Sequence, residues 1–262
     1  MSRAPYHSPV MDPAIAAGLL ASGEAGLLAF GDMGVDARLG GGLAVAALHE
    51  FYAAAEGDAA ATLGLALLLA RRNGRSGPIV WLGDDAAQRE GRLYGLGLAE
   101  LGVDPDRLLI VDAPDSLGVL RAAAEAVACH GVAAVIIAAT GKAARLDLTA
   151  TRRLALAAAR SGVTTLLLRS GTPQPSAATS RWAVAAAASL PLACDARSLS
   201  GGFAPGLPVF ALTLLRHRGG IAGFSCQLEW NRDRNTFGAA LRGAVPAADF
   251  ERAGTASSRR AA

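Results

Sequence analysis

Short, uninterrupted apolar runs recur along this chain, and alanine-rich or amphipathic stretches fill the gaps between them. Residues 132–139 (Val-Ala-Ala-Val-Ile-Ile-Ala-Ala) carry no polar side chain at all. A strand of that kind needs cover on both faces, which a parallel sheet between two helical layers provides. The same grammar places strands at 46–53, 78–82, 107–112, 132–139 and 163–169, with later strands at 183–190 and 210–216. Helices fall at 62–72, 92–101, 116–129 and 150–160. In the third of these Leu117, Leu120, Ala124 and Val127 share one face. Alternation of this sort defines an α/β fold with a mostly parallel central sheet flanked by helices on both faces. Ligand sites in such sheets lie beyond the C-terminal strand ends, here Ala53, Gly83, Ala139 and Arg169.

With 262 residues, 52% of them hydrophobic and 18% charged, the chain can bury a full core as one domain with tails. The expected division is an N-terminal tail at 1–24 with a short helix at 13–21, a core domain at 25–230, and a basic, flexible tail at 231–262. A glycine-rich turn at 36–43 precedes the first strand. Net charge is only +3, which alone implies no nucleic acid. From Leu214 onward, however, eight arginines face four acids, so the basic excess sits at the C-terminal end. Cys129, Cys194 and Cys226 are scattered and form no C-x-x-C, which signals neither a zinc knuckle nor a redox pair and fits reduced, cytoplasmic thiols. No signal-peptide core follows Arg3, and the apolar run 62–70 stops at Arg71-Arg72, so no membrane segment is expected.

The first strand–helix junction runs from Ala53 through Glu56, Gly57, Asp58 and Ala60 to Thr62. A phosphate-binding loop at that place reads G-x-x-x-x-G-K-[ST]: glycines let amides close around the phosphates, lysine neutralises them, and a hydroxyl holds magnesium. Here the glycines are mostly alanines. The chain's single lysine, Lys142, lies elsewhere, and two acids stand where phosphate charge would go. The buried strand ends on Ala139, where a nucleotide hydrolase places a magnesium-binding aspartate. Both ligand types are thus missing from independent strands. Nucleotide, metal and cofactor binding are therefore not expected.

Asp84 and Asp85 follow a strand end and read as a solvated turn or, alternatively, as a general base. Gly95-Leu96-Gly97 imitates a dinucleotide fingerprint, but it sits inside a helix and is followed by Glu100. No G-x-S-x-G elbow occurs. His7, His49, His130 and His217 lack metal-like spacing. Basic residues cluster at three places: Lys142, Arg145, Arg152 and Arg153 after the buried strand; Arg169 and Arg181 around the proline- and serine-rich loop 170–180; and Arg216 and Arg218 in a later turn. Each cluster reads either as solvated charge or as a contact surface for DNA or an acidic partner. Trp182 borders the second cluster, yet no aromatic interleaving marks base stacking.

Several stretches carry a family likeness. Leu39-Gly40-Gly41-Gly42-Leu43, His49-Glu50-Phe51-Tyr52 and the run from Leu101 to Leu109 resemble RecA-family recombinases in order and spacing. The stretches from Leu146 to Leu154, from Pro175 to Trp182 and from Leu214 to Gly220, with Leu228-Glu229-Trp230, look like the ImuA family of bacterial damage-induced mutagenesis cassettes. The likeness spans roughly residues 26–230. It implies a RecA-like core and a non-catalytic accessory role in SOS-induced translesion synthesis. Implied partners are a Y-family-like polymerase subunit of the ImuB type and an error-prone replicative-type polymerase, with RecA and single-stranded DNA as further ones and no membrane. RecA assembles through an N-terminal segment docked on the next core, and by analogy the helix at 13–21 would do likewise. Two rival readings are a divergent DNA-stimulated ATPase, using Asp84 or Asp85 with an arginine supplied in trans, and a SulA-like cell-division inhibitor. The long C-terminal stretch beyond Arg216 speaks against the second.

Overall fold

The computed structural model describes residues 26–85, 87, 92–138, 146–193, 203–204 and 206–240. The helix expected at 13–21, Cys194, Ala139, Lys142, Arg145 and the basic tail beyond residue 240 lie outside the described residues.

In chain order the elements are β1 (Leu27–Leu28), α1 (Met33–Arg38), β2 (Leu43–Ala44), β3 (Leu48–Ala53), α2 (Ala59–Arg72), β4 (Ile79–Asp84), α3 (Gly95–Glu100), β5 (Leu108–Ala113), α4 (Ser116–Ala128), β6 (Ala134–Ala138), α5 (Leu148–Ser161), β7 (Thr164–Arg169), β8 (Ser180–Ala187), β9 (Leu192–Ala193), β10 (Phe203–Ala204), β11 (Val209–His217), β12 (Ser225–Asn231) and β13 (Thr236–Ala239). Nine of the strands form one sheet in the order β13-β12-β11-β8-β3-β7-β6-β4-β5. From β8 to β5 every neighbouring pair is parallel, and β11, β12 and β13 add antiparallel neighbours at one edge. This is the α/β, mostly parallel architecture expected, and it is consistent with a RecA-like core.

The pleat explains the apolar runs. In β6, Ala134, Ile136 and Ala138 join one core with Leu65 and Leu69 of α2. Val135 and Ile137 join a second core on the opposite face, with Val119, Ala123 and Val127 of α4 and Leu154 of α5. Every residue of β6 is buried. The helices are tied down at their starts: Asp115 accepts from Gly118 N and Asp147 from Ala150 N, both at 2.8 Å. Gly162 closes α5 in the left-handed conformation.

Three differences from the sequence reading are physical. The stretch read as a glycine-rich turn, 36–43, begins inside α1, which is capped by Asp32 through Val35 N; the glycines follow the helix. Gly42 has φ +135°, and a Cβ there would lie 2.4 Å from Leu28 O. Second, the sheet continues past residue 230, because β13 pairs with β12 and seats Phe237 against Trp230, with ring centroids 4.9 Å apart. Third, Trp182, which follows the 170–180 loop, does not face solvent. It is fully buried beside Phe30, and its indole N–H donates to Ser180 Oγ at 2.9 Å.

Candidate functional site

Strand β3 ends at Ala53. A short 3-10 turn, Glu56–Asp58, then leads into α2. A phosphate loop aligned on Thr62 would put its lysine at 61, where alanine stands. Asp58 fills the loop from within. One carboxylate oxygen accepts from Ala55 N at 3.1 Å and the other from Ala186 N of β8 at 2.9 Å. An internal anion thus takes up a loop amide of the kind that cradles phosphate. Thr62 is buried and donates its hydroxyl to Asp58 O at 2.9 Å. Glu56 and Gly57 are exposed, and nothing lies within 4 Å of the Cβ position at Gly57.

Beside this loop a cavity of about 460 Å³ opens at the C-terminal ends of β3, β4, β6 and β7. Ala53, Ala60 and Thr62 line it, as do Trp81, Ala138 and Leu168. This is the place where ligands of such sheets are held. Asp84 is buried, contrary to the solvated turn expected, because its carboxylate accepts from Ala87 N at 2.8 Å. Asp85 is exposed.

The arginines separate into two groups. Arg169 and Arg181 do not project into solvent. Both donate to Glu50, a fully buried carboxylate in the middle of β3, at 3.1 and 2.9 Å. Their side chains are only 8% and 11% exposed. Ser176 donates to the same carboxylate at 2.7 Å, and Arg181 also reaches Ser176 Oγ at 3.0 Å. Both guanidiniums lie over the ring of Tyr52. Burial, with Glu50 adding to it, holds the Tyr52 phenol above its ordinary range. The parallel register explains the meeting, since Glu50 pairs with Arg181 across β3–β8 and Tyr52 with Arg169 across β3–β7. The loop between β7 and β8 is therefore anchored on a buried ion triad.

Arg152 and Arg153 stay exposed on α5, and Arg216 and Arg218 stay exposed at the end of β11. Arg216 makes long contacts, 3.4 Å each, to Ser176 O and Ala178 O. Sequence reasoning missed Glu50 as the anchor of this triad. The available signal was a carboxylate inside an otherwise apolar strand, which must find cations when buried. Among the described residues no group of three or more His, Cys, Asp or Glu side chains could hold a metal ion. No helix of the described residues is long and apolar enough to cross a membrane.

No protein-family model matches the chain. Proteins named ImuA from two strains of Caulobacter vibrioides are 32% identical to it over 213 residues, covering 75% of this chain and 81% of theirs. This chain belongs to the ImuA family.

Proposed function

We propose that this chain is a non-catalytic accessory protein of SOS-induced mutagenesis and translesion synthesis in the cytoplasm. In this reading it recruits or regulates an error-prone polymerase complex, through an ImuB-type Y-family-like subunit and a replicative-type polymerase, with RecA a further partner. One observation carries the non-catalytic part: the carboxylate of Asp58 occupies the first strand–helix loop, and alanine replaces its lysine. A bound phosphate there would face an anion instead of a cation. Membership of the ImuA family supports the pathway.

The surface best suited to a protein partner is the β5 edge of the sheet. Leu109 and Ile110 are 53% and 49% exposed there, and Tyr94 and Leu96 are exposed beside the start of α3. An open apolar edge strand invites pairing with another chain. A double substitution, Leu109→Asp with Ile110→Asp, is expected to abolish capture of the polymerase subunit. Its melting temperature should stay within a few degrees of the parent, since these side chains contribute little to the core. Among the described candidates, direct contact with single-stranded DNA falls to Arg152, Arg153, Arg216 and Arg218, because Arg169 and Arg181 are committed to Glu50; Lys142 and Arg145, outside the described residues, stay candidates beside them. Such binding must weaken steeply as salt rises.

Calorimetric titration with magnesium–ATP, with and without single-stranded DNA, tests the core of the proposal. The expected result is no heat at millimolar nucleotide. Stoichiometric binding near micromolar would overturn it and put a divergent ATPase in its place.

A further inference from the structure

The 460 Å³ cavity exists because small residues surround it. Ala53, Ala59, Ala60, Gly83 and Ala138 supply backbone and little else. Larger side chains close the remaining walls: Leu63 of α2, Trp81 of β4, Leu93, Ile110 of β5 and Leu168 of β7. A cleft of that size and apolar character is what small-molecule sites look like. Its volume and its place at the strand ends are properties of the sheet, independent of any accessory role.

Two observations narrow the ligand. The first is an unspent donor. Of the three tryptophans, Trp182 donates its indole N–H to Ser180 Oγ and Trp230 donates to Leu101 O at 3.0 Å. The indole N–H of Trp81 has no hydrogen-bond partner among the described residues. It lies beside Gly83, where even an added Cβ would sit 3.5 Å from the nitrogen. Gly83 and Trp81 both line the cavity, so the donor faces space that a ligand can enter. A donor in an apolar wall favours a ligand that offers an acceptor. The second is charge balance. Arg92, Asp112 and Arg169 line the cavity; Arg169 is already held by Glu50 at 3.1 Å, and Arg92 and Asp112 carry opposite signs, so the walls give neither an anion nor a cation a clear advantage.

We propose that this cavity binds a small, uncharged, planar heteroaromatic molecule, its ring against Leu63, Ile110 and Leu168 and its acceptor on the indole N–H of Trp81. Quinoline and naphthalene make a matched pair of probes, equal in shape, of which only quinoline carries an acceptor. The full chain, labelled with ¹⁵N, shows one indole resonance per tryptophan, and Trp81→Phe assigns that of Trp81. Quinoline at pH 8 is expected to move the Trp81 resonance saturably and leave the other two in place. Naphthalene should bind about three- to tenfold more weakly, the worth of one hydrogen bond. Ala60→Phe, which fills the cleft from an exposed position on α2, should abolish both while leaving the circular dichroism spectrum unchanged. The proposal is overturned if quinoline at millimolar concentration leaves the Trp81 resonance in place, if it moves all three resonances alike, or if a folded Ala60→Phe binds as before. Should Ala60→Phe fail to fold, the probe pair decides on the unaltered chain: equal affinities overturn the assignment.

Discussion

Lowering the pH should destabilise this protein, most of all through His49. The ring is fully buried in β3 and sits in a chain of hydrogen bonds. Its Nε2 lies 2.8 Å from Ala44 O, a carbonyl that can only accept, so Nε2 carries the proton. Its Nδ1 lies 2.7 Å from Ser180 Oγ and accepts from that hydroxyl. Ser180 Oγ in turn accepts from the Trp182 indole. A proton added at Nδ1 would force the Ser180 hydroxyl to turn its own hydrogen away and accept from both the ring and the Trp182 indole. Burial pushes the His49 pKa down to about 4 from an ordinary 6.5; the bond to Ala44 opposes this, and His217 adds to it. The neutral ring is thus favoured in the folded state, so the stabilisation is complete above the unfolded value of about 6.5. It is lost as pH falls towards the folded value, because only the unfolded chain takes up the proton. At pH 4.5 the loss is about 2.5 kcal/mol: two pH units at about 1.4 kcal/mol each, less a few tenths returned as the folded ring begins to bind its own proton. Urea unfolding of the parent chain and of His49→Gln at pH 7.5 and 4.5 measures it. The parent should lose about 2–3 kcal/mol more than the variant between the two conditions. His217, whose pKa burial also lowers, acts in both chains and cancels. Equal pH dependence in the two would refute the hydrogen-bond argument.

Glu50→Gln should cost about 3–5 kcal/mol, because it leaves Arg169 and Arg181 buried side by side without their carboxylate; the shift in urea midpoint reads it. Gly42→Ala should cost about 2–4 kcal/mol, since a left-handed backbone and a carbonyl 2.4 Å from the new methyl both oppose it. A thermal melt that moved by less than a degree would show that the β1–β2 region gives way freely. Thiol reagents should modify Cys129 well before Cys226, because Cys129 is exposed, whereas burial raises the Cys226 thiol to about 11.

The central sheet was legible because its strands are buried on both faces. Residues 132–139 and 163–169 advertise themselves, and the structure places β6 and β7 there. The sheet's far edge was less legible. In β12, Cys226, Leu228 and Trp230 alternate with polar residues, a period-two signal that was present but short. β13 holds only four residues, one of them glycine, and its pairing rests on Phe237 meeting partners far away in sequence. In the candidate site, the missing lysine was plain in the sequence. That Asp58 bonds the loop from inside was not, since Ala186 lies 128 residues away. Arg169 and Arg181 looked like exposed cations because their shared anion lies on another strand, and strand register is not written in composition.

The internal carboxylate of Asp58 also bears on history. A lysine restored at position 61 would stand three residues from Asp58, a neighbour across one helical turn, and would find that carboxylate before any phosphate. The single reversal most easily imagined would therefore be silent, and selection for nucleotide binding would have nothing to act on. Recovery would require the lysine to return and the acid to leave together, with the backbone amides released in the same step. On the non-catalytic reading proposed above, the loop works as a ratchet: a lineage that passed through it could go on changing its surfaces, but could not retrace its way to an ATPase one mutation at a time.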